Sequence, residues 1–210
     1  MGIITHVITR DAVAALTFDD GPHPQFTPPL LEILAHYQVR ATFFMLGEAA
    51  QKYPDLVRQV AQAGHTIGNH SWDHPKFPLI SRRARRQQLH ACEQAIAPYG
   101  QRLFRPPFGQ QNDASRFDAW WLGYQVINWN LDSRDWIDDD AHSIADRLVH
   151  QMHPGSIILL HDGLFQPAEK RYTNRQPMLE AVTMVLQRLD GRLRFVTIPE
   201  LIQCGFPVWR

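Results

Sequence analysis

Three observations predict an α/β fold of barrel type, built on about seven parallel strands. Apolar strand-like runs alternate with helical patterns along the whole chain, and the connections between them are short. The strands that end at Asp19-Asp20, His70, Arg105, Asp135-Trp136 and His161 all carry ionisable or aromatic residues at their C-terminal tips. In a closed barrel of parallel strands such tips converge on one face, where substrates bind. An open doubly wound sheet also gathers ligands at strand ends, but no glycine-rich nucleotide loop is present. At 210 residues the chain can build one substantial core, so a single domain over 1–210 is expected.

The first buried strand covers 12–16 and runs into Thr17-Phe18-Asp19-Asp20-Gly21. Two carboxylates side by side repel unless a cation or a proton lies between them, although Asp-Asp-Gly-Pro is also ordinary turn chemistry. Thr27-Pro28-Pro29 opens a helix that carries Leu30, Leu31 and Leu34. Residues 41–47 form the next buried strand, and a helix over 54–63 stops at Gly64. A short strand over 65–69 leads into His70-Ser71-Trp72-Asp73-His74. Ser81 caps a helix with Leu89, Cys92 and Ile96 at helical spacing, which Pro98 and Gly100 close.

Leu103-Phe104-Arg105 is a brief strand before Pro106-Pro107-Phe108-Gly109, and a helix over 113–122 precedes a strand over 124–129. After Asp132-Ser133-Arg134-Asp135-Trp136, a helix sets Ile144, Leu148 and Met152 on one face. Residues 156–160 form a strand that ends in His161-Asp162-Gly163. A helix with Met178, Val182, Val185 and Leu189 follows, and 195–197 is the last strand.

Formal net charge is zero, so no global field recruits nucleic acid or an anionic membrane. The basic run Arg82-Arg83-Ala84-Arg85-Arg86 reads as a solvated helix face. Cys92 and Cys204 lack metal-pair or redox spacing and make no disulfide framework. Residues 1–10 hold no hydrophobic signal region and no apolar run is long enough to span a bilayer, so a soluble, cytoplasmic chain is expected.

His70 and His74 are four apart, so on a helical turn both imidazoles point the same way and can hold one metal. With one carboxylate of Asp19-Asp20 they make a His-His-Asp set with coordination positions open for water and substrate. Such a site suits metal-assisted hydrolysis, in which the second Asp removes a proton. Arg105 can pair with that base and orient it. His161 is suited to protonate a leaving amine, with Asp135 orienting the imidazole and raising its pKa. Trp136 and Leu159 can wall a pocket for a small acyl group, although both residue types are core residues by default.

These stretches resemble, in order, the five motifs of the polysaccharide deacetylase family, the carbohydrate esterases with a NodB-like domain. The resemblance covers Thr17 to about Leu201. It implies that Asp19 is the base and Asp20 a metal ligand beside His70 and His74. It also implies that Arg105 holds the base, that the Phe108 backbone N–H helps bind the oxyanion, that Asp135 tunes His161, and that Leu159 lines the pocket. Phe108 stands where many members have Tyr, which costs little because the backbone is what is used. The implied fold is a distorted (β/α) barrel, and the implied cofactor is one divalent ion: zinc, with cobalt, manganese or nickel as alternatives. The implied substrate is an acetylated carbohydrate, chitin-like or peptidoglycan-like. Many members work outside the cell or in its envelope, unlike the setting read from residues 1–10. Alternatives are a hydrolase of non-sugar amides, one of O-acetylated xylan, or a silent carbohydrate-binding domain. The last would be free to lose Asp19 or His161, and both are present.

Overall fold

The second strand is buried along its whole length, and the sheet is arranged around it. The computed structural model describes residues 2–210. In chain order the first half comprises β1 (Ile3–Ile8), β2 (Val13–Asp19), α1 (Thr27–His36), β3 (Thr42–Met45), α2 (Gly47–Lys52), α3 (Pro54–Gln62), β4 (Thr66–Asn69) and α4 (Arg82–Ile96). The second half comprises β5 (Gly100–Phe104), α5 (Asp113–Trp121), β6 (Gln125–Ile127), β7 (Leu131–Asp132), α6 (Ala141–Gln151), β8 (Ile157–His161), α7 (Gln176–Leu189), β9 (Arg194–Phe195), α8 (Ile198–Gln203) and β10 (Phe206–Trp209).

The sheet runs β10-β1-β6-β5-β4-β3-β2-β8-β7, with β9 pairing to β2. Every pairing is parallel except that of β10 with β1. An isolated antiparallel bridge between His6 and Ser156 brings β1 against the residue before β8, so the sheet curls toward a barrel. The barrel-like α/β fold therefore stands, with additions. Strands β1 and β10 were not expected, because their half-buried sequences lack a continuous apolar run. The short α2 follows β3 directly, and Gly100 begins β5 rather than closing α4. Among the described residues no helix is long and apolar enough to cross a membrane.

Side-chain alternation along the strands sorts the core into two layers. Leu16 and Phe18 of β2 and Ile158 and Leu160 of β8 point outward, where they pack with Leu30, Leu148 and Val182 of the covering helices. Val13 and Ala15 of β2 and Ile157 of β8 point inward and meet Ile4, Phe44, Ile127 and Ile198. By the same alternation Thr17, Asp19, Leu159 and His161 face the barrel interior at its upper end. The register then sets Asp19 beside His161. An apolar floor carries a polar mouth.

The basic run departs from the solvated face read in the sequence. Arg85 is buried, with Nε and Nη2 at 2.8 and 2.7 Å from Asp118 Oδ2. Arg86 Nε donates to the other oxygen at 3.1 Å. Spacing along α4 turns these residues toward α5, where Asp118 is fully buried and needs cationic partners. The substitution Asp118→Ala strands a buried guanidinium and is expected to lower stability by about 3 kcal/mol in chemical denaturation.

Candidate active site

Arg105 is the first residue after β5, fully buried between the rings of Phe44 and Trp129. Its Nη1 donates to Asp19 Oδ1 at 2.8 Å and to Thr17 Oγ1 at 2.6 Å. Nε and Nη2 donate to the carbonyls of Ile127 and Asn128 at 3.3 and 3.2 Å. Burial lowers the guanidinium pKa and the charge of Asp19 opposes that shift. Asp19 Oδ1 is thus committed to Arg105, while Oδ2 faces the site 3.7 Å from His70 Nε2.

Asp20 turns the other way because its backbone is left-handed, with φ 69°. Its Oδ2 accepts from the Phe165 backbone N–H at 2.9 Å. Its Oδ1 is buried, has no hydrogen-bond donor, and lies 3.4 Å from His70 Nε2 and 3.5 Å from His74 Nε2. Burial would raise the pKa of Asp20, but the imidazoles of His70 and His74 that face it outweigh burial and hold the carboxyl below its ordinary range. Burial is also the main cause that lowers His74 to about 4.

His70 and His74 do converge, though not on the helical turn expected from their spacing. They flank an irregular loop in which Ser71 and His74 both have positive φ, at 73° and 62°. Asn69 Oδ1 accepts from Ser71 N–H at 2.8 Å, Ser71 Oγ from His74 N–H at 3.1 Å, and Gln88 Oε1 from Trp72 N–H at 2.8 Å. These bonds hold the bend in place of helical ones. His70 Nδ1–H donates to the Arg105 carbonyl at 2.7 Å, which leaves the Nε2 lone pair directed at the site.

On the far wall, His161 Nδ1–H donates to Asp135 Oδ1 at 2.9 Å. Burial alone would lower the imidazole pKa; the charge and hydrogen bond of Asp135, with Asp20 and Asp19 behind them, outweigh burial and raise it to about 9. Asp135 is fully buried, which would raise its own pKa, but His161 and Arg175 hold it at about 2. Arg175 carries no sequence signal: it lies outside every recognisable motif, between a loop and α7.

Residues 6–127 match the family model described as polysaccharide deacetylase. The chain belongs to the polysaccharide deacetylase family. It is 36% identical over 208 residues to a peptidoglycan-N-acetylglucosamine deacetylase of Bacillus cereus, covering 96% of this chain and 94% of that one. It is 38% identical to a chitooligosaccharide deacetylase of Sinorhizobium fredii, covering 84% and 85% of the two chains. The crystal structure of a peptidoglycan N-acetylglucosamine deacetylase in complex with 4-naphthalen-1-yl-N-oxidanyl-benzamide superposes with a TM-score of 0.86 at 32% identity, covering 96% and 92%.

Polysaccharide deacetylases are metal-dependent, and the donor set here fits a divalent cation. One atom each from Asp20, His70 and His74 lies within 4.8 Å of the others, and all three residues are buried. The orphaned Asp20 Oδ1 is the strongest sign, because a buried carboxylate oxygen without a donor is costly unless a cation meets it. All the expected site residues but two, Arg105 and Asp135, line one cavity of about 420 Å³; those two stand directly behind Asp19 and His161. Phe108, Trp136 and Leu159 are among the residues that line it. Phe108 has φ 58° and its ring lies against His74 at 4.4 Å between centroids.

The same cavity is lined by residues the motifs did not single out, Trp129, Asp132 and the 164–168 segment. Asp162, next to His161, is also fully buried, and burial pushes its carboxyl up to about 7 against the bond from Thr27. A Cβ on Gly21 would stand 2.3 Å from Asp162 Oδ1, so the turn after the aspartate pair requires glycine. Titration of the His161 ring by NMR in metal-free protein is expected to give a pKa near 9. In Asp135→Asn the ring loses its main counter-charge, and the value should fall by at least about one unit.

Proposed function

We propose that the protein is a zinc-dependent deacetylase that hydrolyses the acetamide of N-acetylglucosamine units in chitin-like or peptidoglycan-like glycans, leaving a free amine and acetate. The observation that carries this reading is that Asp19, the Asp20-His70-His74 set and His161 face one cavity from separate strand tips. A divalent ion held by Asp20, His70 and His74 supplies, when bound, polarisation of the acyl oxygen and an acidified water.

Asp19 Oδ2, left free because Arg105 occupies Oδ1, accepts the proton of the attacking water. Arg105 keeps that oxygen aimed through its fixed fork of donors. His161 is held in its cationic form in the metal-free protein, so Nε2–H can give its proton to the departing amine nitrogen while Nδ1–H stays on the ring and donates to Asp135. Trp136 and Leu159 wall the space for the acetyl methyl group, and the Phe108 backbone N–H serves the developing oxyanion. The aromatic faces of Trp129, Trp136 and Phe108 at the cavity suit the apolar face of a pyranose ring.

Acetate release from chitotetraose and from peptidoglycan fragments, with zinc supplied, tests the reading. Asp19→Asn and His161→Ala should each lower kcat by about 100-fold or more. His70→Ala should lose stoichiometric zinc by elemental analysis. Wild-type activity in Asp19→Asn, or binding of the oligosaccharides with no acetate released under zinc, cobalt or manganese, would sink the proposal.

A further inference from the structure

Arg175 precedes α7 with its side chain turned inward, 3% exposed. A guanidinium buried to that degree is tolerated only where acceptors meet its donors. Here they do. Nη2 bonds Asp135 Oδ2, Nη1 donates to the carbonyls of Asp135 at 2.8 Å and Tyr172 at 3.1 Å, and Nε donates to the carbonyl of His161 at 3.2 Å. One side chain therefore grips the carboxylate and main chain of Asp135 together with the main chain of His161.

The carboxylate of Asp135 has its acceptor positions filled as a result. Oδ1 accepts from His161 Nδ1–H and from the Ser133 hydroxyl, each at 2.9 Å. Oδ2 accepts from His161 N–H at 2.9 Å and from Arg175. Four donors in two directions fix the carboxylate plane, and that plane fixes the imidazole. Arg175 is itself anchored by α7, which packs against α6 and α1.

We infer that Arg175 is a positioning residue for proton delivery: by locking the Asp135 carboxylate it aims His161 Nε2 into the cavity. The inference rests on His161 acting as the general acid. A mere anchor for the loop before α7 would act differently, because residues 164–168 of that loop line the cavity and their displacement would weaken substrate binding.

Zinc-loaded wild type, Arg175→Gln and Arg175→Lys separate the two. With chitotetraose, Arg175→Gln should lose about tenfold or more in kcat while KM stays within about twofold, and Arg175→Lys should lie between. With para-nitrophenyl acetate, whose phenolate leaves without a proton, the loss should vanish. In metal-free protein the hydrogen-bonded Nδ1–H resonance of His161 should exchange faster in Arg175→Gln, with the remaining spectrum unchanged. A folded Arg175→Gln with wild-type kcat, a rise in KM at constant kcat, or equal losses on both substrates would overturn the inference. If wild type releases no acetate, the deacetylase reading fails, and the Nδ1–H exchange alone decides whether Arg175 orders the pair.

Discussion

The buried ion pair between Arg105 and Asp19 is the constraint on which the rest of the site depends. One residue binds the aspartate at the tip of β2, the threonine two positions before it, and the carbonyls of Ile127 and Asn128 at the end of β6. Its own carbonyl accepts the Nδ1–H of His70. Arg105 thus fixes the oxygen that Asp19 presents and the imidazole face that His70 presents. Removing one partner of such a buried pair costs about 3–5 kcal/mol, because the other charge is left without water or counter-charge. The ionic arrangement is tolerated because the guanidinium also lies over the Phe44 ring and uses carbonyls that strand ends leave open.

A second charged network stands opposite and has the same logic. Asp135 is buried with two cationic neighbours, His161 and Arg175, as Asp19 is buried with Arg105. One network leaves a carboxylate oxygen free toward the cavity, and the other leaves a protonated nitrogen. The three residues suited to a cation line the same cavity as Asp19 and His161. The barrel supplies this separation through strand alternation: the inward positions of β2 and β8 are apolar below, at Val13, Ala15 and Ile157, and functional above, at Asp19 and His161.

Much of this was legible in the sequence, for physical reasons that differ by element. The inward side chains of β2 and β8 could be read because strands buried on both faces are continuous apolar runs, and a charge at their tips stands out. The His70–His74 pair was found by spacing, yet the bend between them is set by Asn69, Ser71 and Gln88 rather than by helical periodicity. Arg85 looked solvated because its partner, Asp118, is distant in sequence and met only through helix packing. Arg175 was not legible for the same reason: its acceptors belong to strand ends that only the folded sheet brings together. Strands β1 and β10 pair at the outer edge of the sheet, where half-buried sequences lose the apolar pattern.

The division of work between the two neighbouring aspartates is tested most directly by calorimetric titration of zinc into Asp19→Asn and Asp20→Asn side by side. Asp19→Asn should bind zinc within a few-fold of wild type, because its ordered oxygen belongs to Arg105. Asp20→Asn should bind it at least about 100-fold more weakly, since a ligand that faces both imidazoles has been neutralised. Equal losses in the two variants, or the greater loss in Asp19→Asn, would contradict the assignment.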